Sequence, residues 1–255
     1  MTETTINRRA HIASTLATAS VILAIACGVG ELIGGIGHRL QWWGVGAGIA
    51  TMQWSAIAAA VALLLAVVAL ALGAVEHMRR TTITATLGLL LAAAIAGPPM
   101  WMARQALRLP AIHDISTDTD DPPRFAAVLP LRQGAPNGLD YSADVAARQK
   151  AAYPDIAPAM LALPPARALE LAERSARAMG WDIVAVSPPD LRIEATATTL
   201  LFGFKDDVVV RITPAPQGSR VDVRSVSRVG RSDIGANAQR IRAFLGKLDE
   251  LKRAG

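Results

Sequence analysis

The chain has 255 residues, with 26 Lys plus Arg against 21 Asp plus Glu and a formal net charge of +5; its pI is near 10.0 and its mean hydropathy +0.33. A hydrophobic fraction of 52% with only 18% charged is too apolar for a single soluble domain, in which about a quarter of the residues are charged. That apolar content also excludes a disordered chain, and the single cysteine, Cys27, excludes a disulfide scaffold.

The charge is unevenly spread. Three charged residues lie in positions 1–11 and five in 12–102 (Glu31, Arg39, Glu76, Arg79 and Arg80), leaving 39 in positions 103–255. A helix needs about 20 apolar residues to cross the hydrocarbon core, where no water satisfies an unpaired backbone group. Between Arg9 and Glu31 lie 21 uncharged residues, between Arg39 and Glu76 36, and between Arg80 and Arg104 23. These stretches predict three transmembrane helices, near 12–32, 51–73 and 82–100, in a membrane region covering 1–102. The middle stretch suits one span with an interfacial lead-in, and Trp42 and Trp43 suit headgroup level.

Short-loop basic residues are retained on the cytoplasmic side. An N-terminus inside places Arg8, Arg9, Arg79 and Arg80 in the cytoplasm and Arg39, Arg104 and Arg108 outside. The expected arrangement is therefore a multi-pass protein of the cytoplasmic membrane, with its C-terminal part periplasmic or otherwise extracytoplasmic and the lipid bilayer as a partner.

Within the spans, Gly28, Gly30, Gly34, Gly35 and Gly37 lack the dinucleotide-loop spacing and read as small residues for close helix packing. The run Leu23–Cys27 resembles a lipoprotein processing site with Leu one place too early, so lipidation is not expected. Glu31 and Glu76, like His11, His38 and His77, are read as span-end groups reached by headgroup water; a proton or ion path would require the carboxylates deep in the bundle.

From 103 to 160 the chain is punctuated by Pro110, Pro122, Pro123, Pro130, Pro136, Pro154 and Pro158, which predicts an extended, only locally regular segment. Its Ile112, Ile115, Phe125, Val128, Leu129 and Leu131 are apolar enough to lie across a domain surface. An α+β core is expected over 161–255. Pro164 and Pro165 open a helix over 165–179 that stops at Gly180. Four strand-like runs follow, at 181–186, 191–198, 208–213 and 220–227, joined by connections short enough for hairpins. A final helix over 234–252 carries Ile234, Ala238, Ile241, Leu245, Leu248 and Leu251 on one stripe. The expected fold class is thus α+β: three transmembrane helices, then an antiparallel four-stranded sheet and two helices. In the last strand Val221 and Val223 face one way, with Arg220, Asp222, Arg224 and Arg228 on the other parity. With Asp207, Arg211, Arg192 and Glu194 these predict a solvated charged ladder.

The stretches IHDISTDTDDPPRF (112–125), Gly180-Trp181, IEATATTLLFGFKDDVVVRI (193–212) and RVDVRSVSRVGRSDIGANAQRI (220–241) resemble the bacterial domain-of-unknown-function family DUF1499. The resemblance spans about 110–250 and implies membrane spans ahead of the domain, but no activity, cofactor or partner. It marks Asp114, Asp118, Arg224, Ser225, Arg228, Asp233 and Asn237 as candidate ligand-binding positions. Exposed amides at the final helix N-terminus, with Arg224, Arg228 and Arg231, suit an anion.

No catalytic residue is identified. His113 is the only histidine after the spans, where no cysteine occurs, so neither a Cys-His nucleophile nor a zinc site of ordinary ligand count forms within one chain. The acidic run Asp114, Asp118, Asp120, Asp121 lacks the central Gly and terminal Glu of a calcium loop. No metal and no cofactor is expected. Nucleic acid is not expected either, since the 21 basic residues after position 102 are dispersed among 18 acidic ones. Two functional readings remain. One is a non-enzymatic binding or accessory module of the cell envelope, engaging an envelope protein or anionic ligand. The other is a hydrolase or transferase on an anionic substrate, with Asp222 or Asp233 as base and Arg224 and Arg228 as clamp.

Overall fold

The structure, a computed structural model, describes residues 3–75 and 77–254. Glu76 lies outside the described residues. Two compact units result: one runs to Arg104 and takes in Leu200–Gly203, and the other holds Gln105–Thr199 and Phe204 onward.

The first unit contains α1 (Glu3–Arg39), α2 (Val45–Val75) and all but the last turn of α3 (Arg79–Arg108). All three are long and apolar enough to cross a membrane. Each extends past the expected span at both ends, because helix hydrogen bonding continues through flanking residues that hydropathy does not count. In α1 the buried residues Ala13, Ala17, Ser20, Ala24 and Cys27 alternate at spacings of four and three, and Ala59, Ala62, Ala66, Ala69 and Gly73 do so in α2. That period keeps a single seam facing the partner helices. The seams meet in layers: Ala17 with Ala69 and Ala85, Ala24 with Ala62 and Ala92, Cys27 with Ala59 and Ala96. Small residues let the backbones approach closely where the surroundings are as apolar as the side chains. At Gly88 of α3 a Cβ would come within 2.1 Å of Ser20 Oγ. Pro98 and Pro99 lie inside α3 and supply no N–H, leaving the Ala94 and Ile95 carbonyls without their i+4 donors.

In the second unit, β1 (Asp114–Ser116), a 3-10 turn (Leu129–Arg132), α4 (Ala143–Ala152) and β2 (Ala159–Leu161) precede α5 (Pro165–Ala178). Then come β3 (Asp182–Ser187), β4 (Arg192–Thr198), β5 (Lys205–Ala215), β6 (Gly218–Ser227) and α6 (Ala236–Ala254). The antiparallel sheet has six strands, not the four expected, in the order β1-β6-β5-β4-β3, with β2 also on β6. The hairpin meander β3–β6 matches the expected runs. The two additional strands come from the proline-punctuated segment, where proline-free triplets too short to show periodicity use the free edge of β6. β1 pairs with residues 224–226 and β2 with 219–221. α4 is likewise additional to the expected helices; Ser142 caps it, its side chain accepting the Val145 N–H.

Strand parity divides the sheet. Ile193, Ala195, Val208, Val210, Ile212, Val221 and Val223 form the main core with α5 and α6, including Trp181 stacked on Phe244 at 5.1 Å between ring centroids. The opposite face is covered by the segment 117–142, whose Phe125 and Val128 pack on Val209 and Val226. The charged ladder is therefore solvated only in part: Glu194, Asp207, Asp222 and Arg224 are buried, while Arg192, Arg211, Arg220 and Arg228 are half-buried. An extended segment with apolar residues at 125 and 128 covers that face, and opposite charges on adjacent strands neutralise one another beneath it.

Candidate functional site

The family-marked residues divide between the two faces because neighbours on a strand point apart. Arg224, Arg228 and Asp114 lie under the covering segment, and Asp118 within it reaches down to the same face; Ser225 of β6 faces the start of α6, where Asp233 and Asn237 lie.

Under the segment, three ion-pair knots hold it down. Asp114 sits on β1, beside β6 in register with Val226, which brings its carboxylate to the Arg224 guanidinium. Arg224 Nε donates to Asp114 Oδ1 at 2.9 Å and Nη2 to Oδ2 at 2.6 Å. The remaining Arg224 donors reach the Pro123 and Leu139 carbonyls, and the Phe125 and Tyr141 rings each lie 5.4 Å from the guanidinium carbon. Burial pushes the Asp114 carboxyl above its ordinary range, against the pull of Arg224. Desolvation raises the Tyr141 hydroxyl's pKa as well.

The second knot centres on Asp207, which is fully buried. Arg228 Nε and Nη2 donate to its two oxygens at 2.9 and 2.8 Å, Arg132 Nη1 donates at 2.6 Å, and Thr196 Oγ1 at 2.8 Å. Burial works to raise the Asp207 pKa, but these donors outweigh it and hold the carboxyl below its ordinary range. Arg228 Nη1 also binds the Leu131 carbonyl.

In the third knot Asp222 receives Arg211, Arg220 and Thr117, and Asp118 receives the same two arginines. Asp118 Oδ1 accepts the Asp120 and Asp121 amides, closing the turn before Pro122. Burial opposes ionisation of Asp118, yet these amides and the two arginines hold its carboxyl low. Glu194 completes the fastening by accepting the Ala126 and Val128 amides at 3.0 Å.

On the helix face, Asn237 in the first turn of α6 accepts the Ser225 hydroxyl proton at 2.7 Å and donates to Ser227 Oγ and the His113 carbonyl. Arg240 joins Ser225, Asn237 and Asp206. Asp233 accepts the Gly235 and Asn237 amides, which occupies the helix start as a cap. Desolvation pushes the Asp233 carboxyl up, against those hydrogen bonds. The chain just before Asp114 does reach this corner, where the Ile112 and His113 carbonyls accept the Asp233 amide and the Asn237 side chain, but the Asp114 and Asp118 carboxylates bond arginines on the other face.

Arg132, Thr196, Asp206, Arg240 and Gln149 are central to these networks without having been singled out as candidates. Gln149 bonds both backbone groups of Ser116 and accepts from Tyr141. No spacing pattern points to Arg132, because its partner lies 75 residues away. Among the described residues no group of three or more His, Cys, Asp or Glu is placed to hold a metal ion. A groove of about 570 Å³ lies elsewhere, between α5 and the end of α6. Arg167, Arg174, Arg177 and Lys252 line it over Leu163, Leu171 and Leu251, with Glu170 and Glu173. Arg167 and Arg177 pair with those glutamates.

Comparison with curated proteins and with solved structures finds no match. The family profile described as a protein of unknown function, DUF1499, matches residues 114–248, a range that takes in all three knots, the α6 start and the whole meander. The chain belongs to the DUF1499 family.

Proposed function

We propose that this DUF1499 protein is a multi-pass protein of the cytoplasmic membrane that presents its α+β domain on the outer side as a non-enzymatic binding or accessory module of the cell envelope. Three helices of sufficient length and apolarity and the Arg8-Arg9 and Arg79-Arg80 pairs support the anchoring and the orientation. The observation that carries the binding reading is the employment of the family's arginines. Each guanidinium nitrogen of Arg224 and Arg228 donates to an acceptor in this chain. A substrate clamp needs donors left over for the substrate, whereas a scaffold uses them to fasten its own segments.

In this reading Asp114, Asp118, Arg224, Ser225, Arg228, Asp233 and Asn237 support the binding surface from within. The open basic surface is the groove between α5 and α6, and its partner is an anionic envelope component. Photo-crosslinking in intact cells tests this, with a photoreactive residue replacing Arg174 in the groove and, as control, Lys150 on the exposed face of α4. A species captured from position 174 alone is expected; equal capture from both positions, or none from 174, overturns the assignment. A C-terminal reporter active only outside the cytoplasm tests the orientation, and a well-expressed but inactive fusion overturns it.

A further inference from the structure

Glu31 continues the seam of α1. Ala13, Ala17, Ser20, Ala24 and Cys27 are buried at spacings of four and three, and the next position in that rhythm is Glu31, followed by the buried Gly34. Its Oε1 is buried and has no hydrogen-bond partner. The neighbouring helices place no countercharge beside it. α2 (Val45–Val75) contains no charged residue and α3 none between Arg80 and Arg104. Among the described residues no ion pair includes Glu31. Polar groups on this part of the seam include Cys27 one turn earlier on α1 and His38 two turns later, which bonds the Trp43 carbonyl, and on α2 Ser55, whose Oγ lies 2.4 Å from where a Cβ on Gly30 would stand, and Thr51 against Gly34. From α3, Ile95 packs against Gly28, and its carbonyl is one of the two left without a helix donor by Pro98 and Pro99.

Depth follows from the helix rise. Arg9 and Arg39 are about 45 Å apart along α1, so a hydrocarbon core of about 30 Å centred between them reaches residue 34, and Glu31 falls about 5 Å inside it. An ionised carboxylate there, half-buried with one oxygen unpartnered, is more costly than the neutral acid. We propose that Glu31 is a proton-binding site of the membrane bundle, a carboxylic acid held at the junction of the three helices. The proposal rests on the membrane reading above.

Its chemical signature is reaction with dicyclohexylcarbodiimide. The acid transfers its proton to a carbodiimide nitrogen, the carboxylate oxygen bonds to the central carbon, and acyl migration to nitrogen leaves a stable N-acylurea with no atom lost. Full-length protein in native membrane vesicles is treated with this apolar reagent or with a water-soluble carbodiimide, washed with alkaline carbonate, and mapped by peptide mass. The expected result is an adduct on Glu31 with the apolar reagent only, absent in Glu31→Gln. Its labelling rate falls about tenfold per pH unit once the proton is lost. An unmodified Glu31 in protein that stays with the carbonate-washed membrane overturns the proton site and leaves the membrane reading standing, as does labelling by the water-soluble reagent. Release of the chain by carbonate overturns both.

Discussion

Replacing Arg224 by alanine should release the covering segment while leaving the sheet meander formed. The substitution removes two charged hydrogen bonds to Asp114, two to the Pro123 and Leu139 carbonyls, and the ring contacts with Phe125 and Tyr141. It also strands the Asp114 carboxylate, whose side chain is only 6% exposed. Breaking a buried pair by removing one partner costs about 3–5 kcal/mol; the individual bonds are not summed, since they act as one unit. Because 1.4 kcal/mol is about a factor of ten, a local opening governed by this knot raises amide exchange in the segment by about 100-fold or more. Hydrogen–deuterium exchange of the full chain in detergent micelles reads this directly, on peptides covering 117–142 against peptides from β4 and β5. The penalty has a pH sign. Without Arg224 the Asp114 carboxyl, already pushed up by burial, rises further, so the variant recovers stability as pH falls and loses it as pH rises through that value. Adding Asp114→Leu to Arg224→Met should recover most of the loss, as an apolar pair of similar volume replaces a buried ion pair. Exchange in 117–142 within threefold of wild type in Arg224→Ala, at neutral pH, would refute the fastening argument.

Other consequences are as specific. Asp207 is held below its ordinary range, so its stabilising contribution is complete above the unfolded value, about 3.9, and is lost as pH falls through the folded value. Asp207→Asn should therefore unfold at a higher pH on acid titration followed by circular dichroism, and an unchanged acid midpoint would count against the knot. Gly218 has φ +132°, and a Cβ there would stand 2.1 Å from the Leu161 carbonyl oxygen. Gly218→Ala should cost about 1–3 kcal/mol or more through strain, read as a lowered denaturation midpoint with exchange concentrated in β2. Asn237→Ala leaves the Ser225 hydroxyl without its acceptor and should cost about 1–3 kcal/mol, with deprotection at the α6 start; protection equal to wild type would show that Arg240 alone holds that corner.

The long apolar runs and the β3–β6 meander were legible because each rests on local periodicity: uncharged stretches longer than a bilayer is thick, and alternating residues between short turns. β1 and β2 were not, because three residues carry no period and exist as strands only through the free edge of β6. The candidate site was legible as a set of residues but not as an arrangement. Arg224 and Ser225 are adjacent in the chain and belong to opposite faces, one tied to Asp114 across 110 residues, the other to Asn237. The seam of α1 could be read as small residues for packing, yet placing Glu31 on it required the partner helices that show which face is covered.

From the sequence alone came the membrane-like front, the α+β rear and the resemblance to the family, since charge distribution and hydrophobic period are properties of neighbouring residues. Whether the charged ladder faces water or the chain itself was decided only by the tertiary structure. A carboxylate and a guanidinium 75 or 110 positions apart neutralise each other only when the fold brings them within hydrogen-bond reach, and no local pattern encodes that distance.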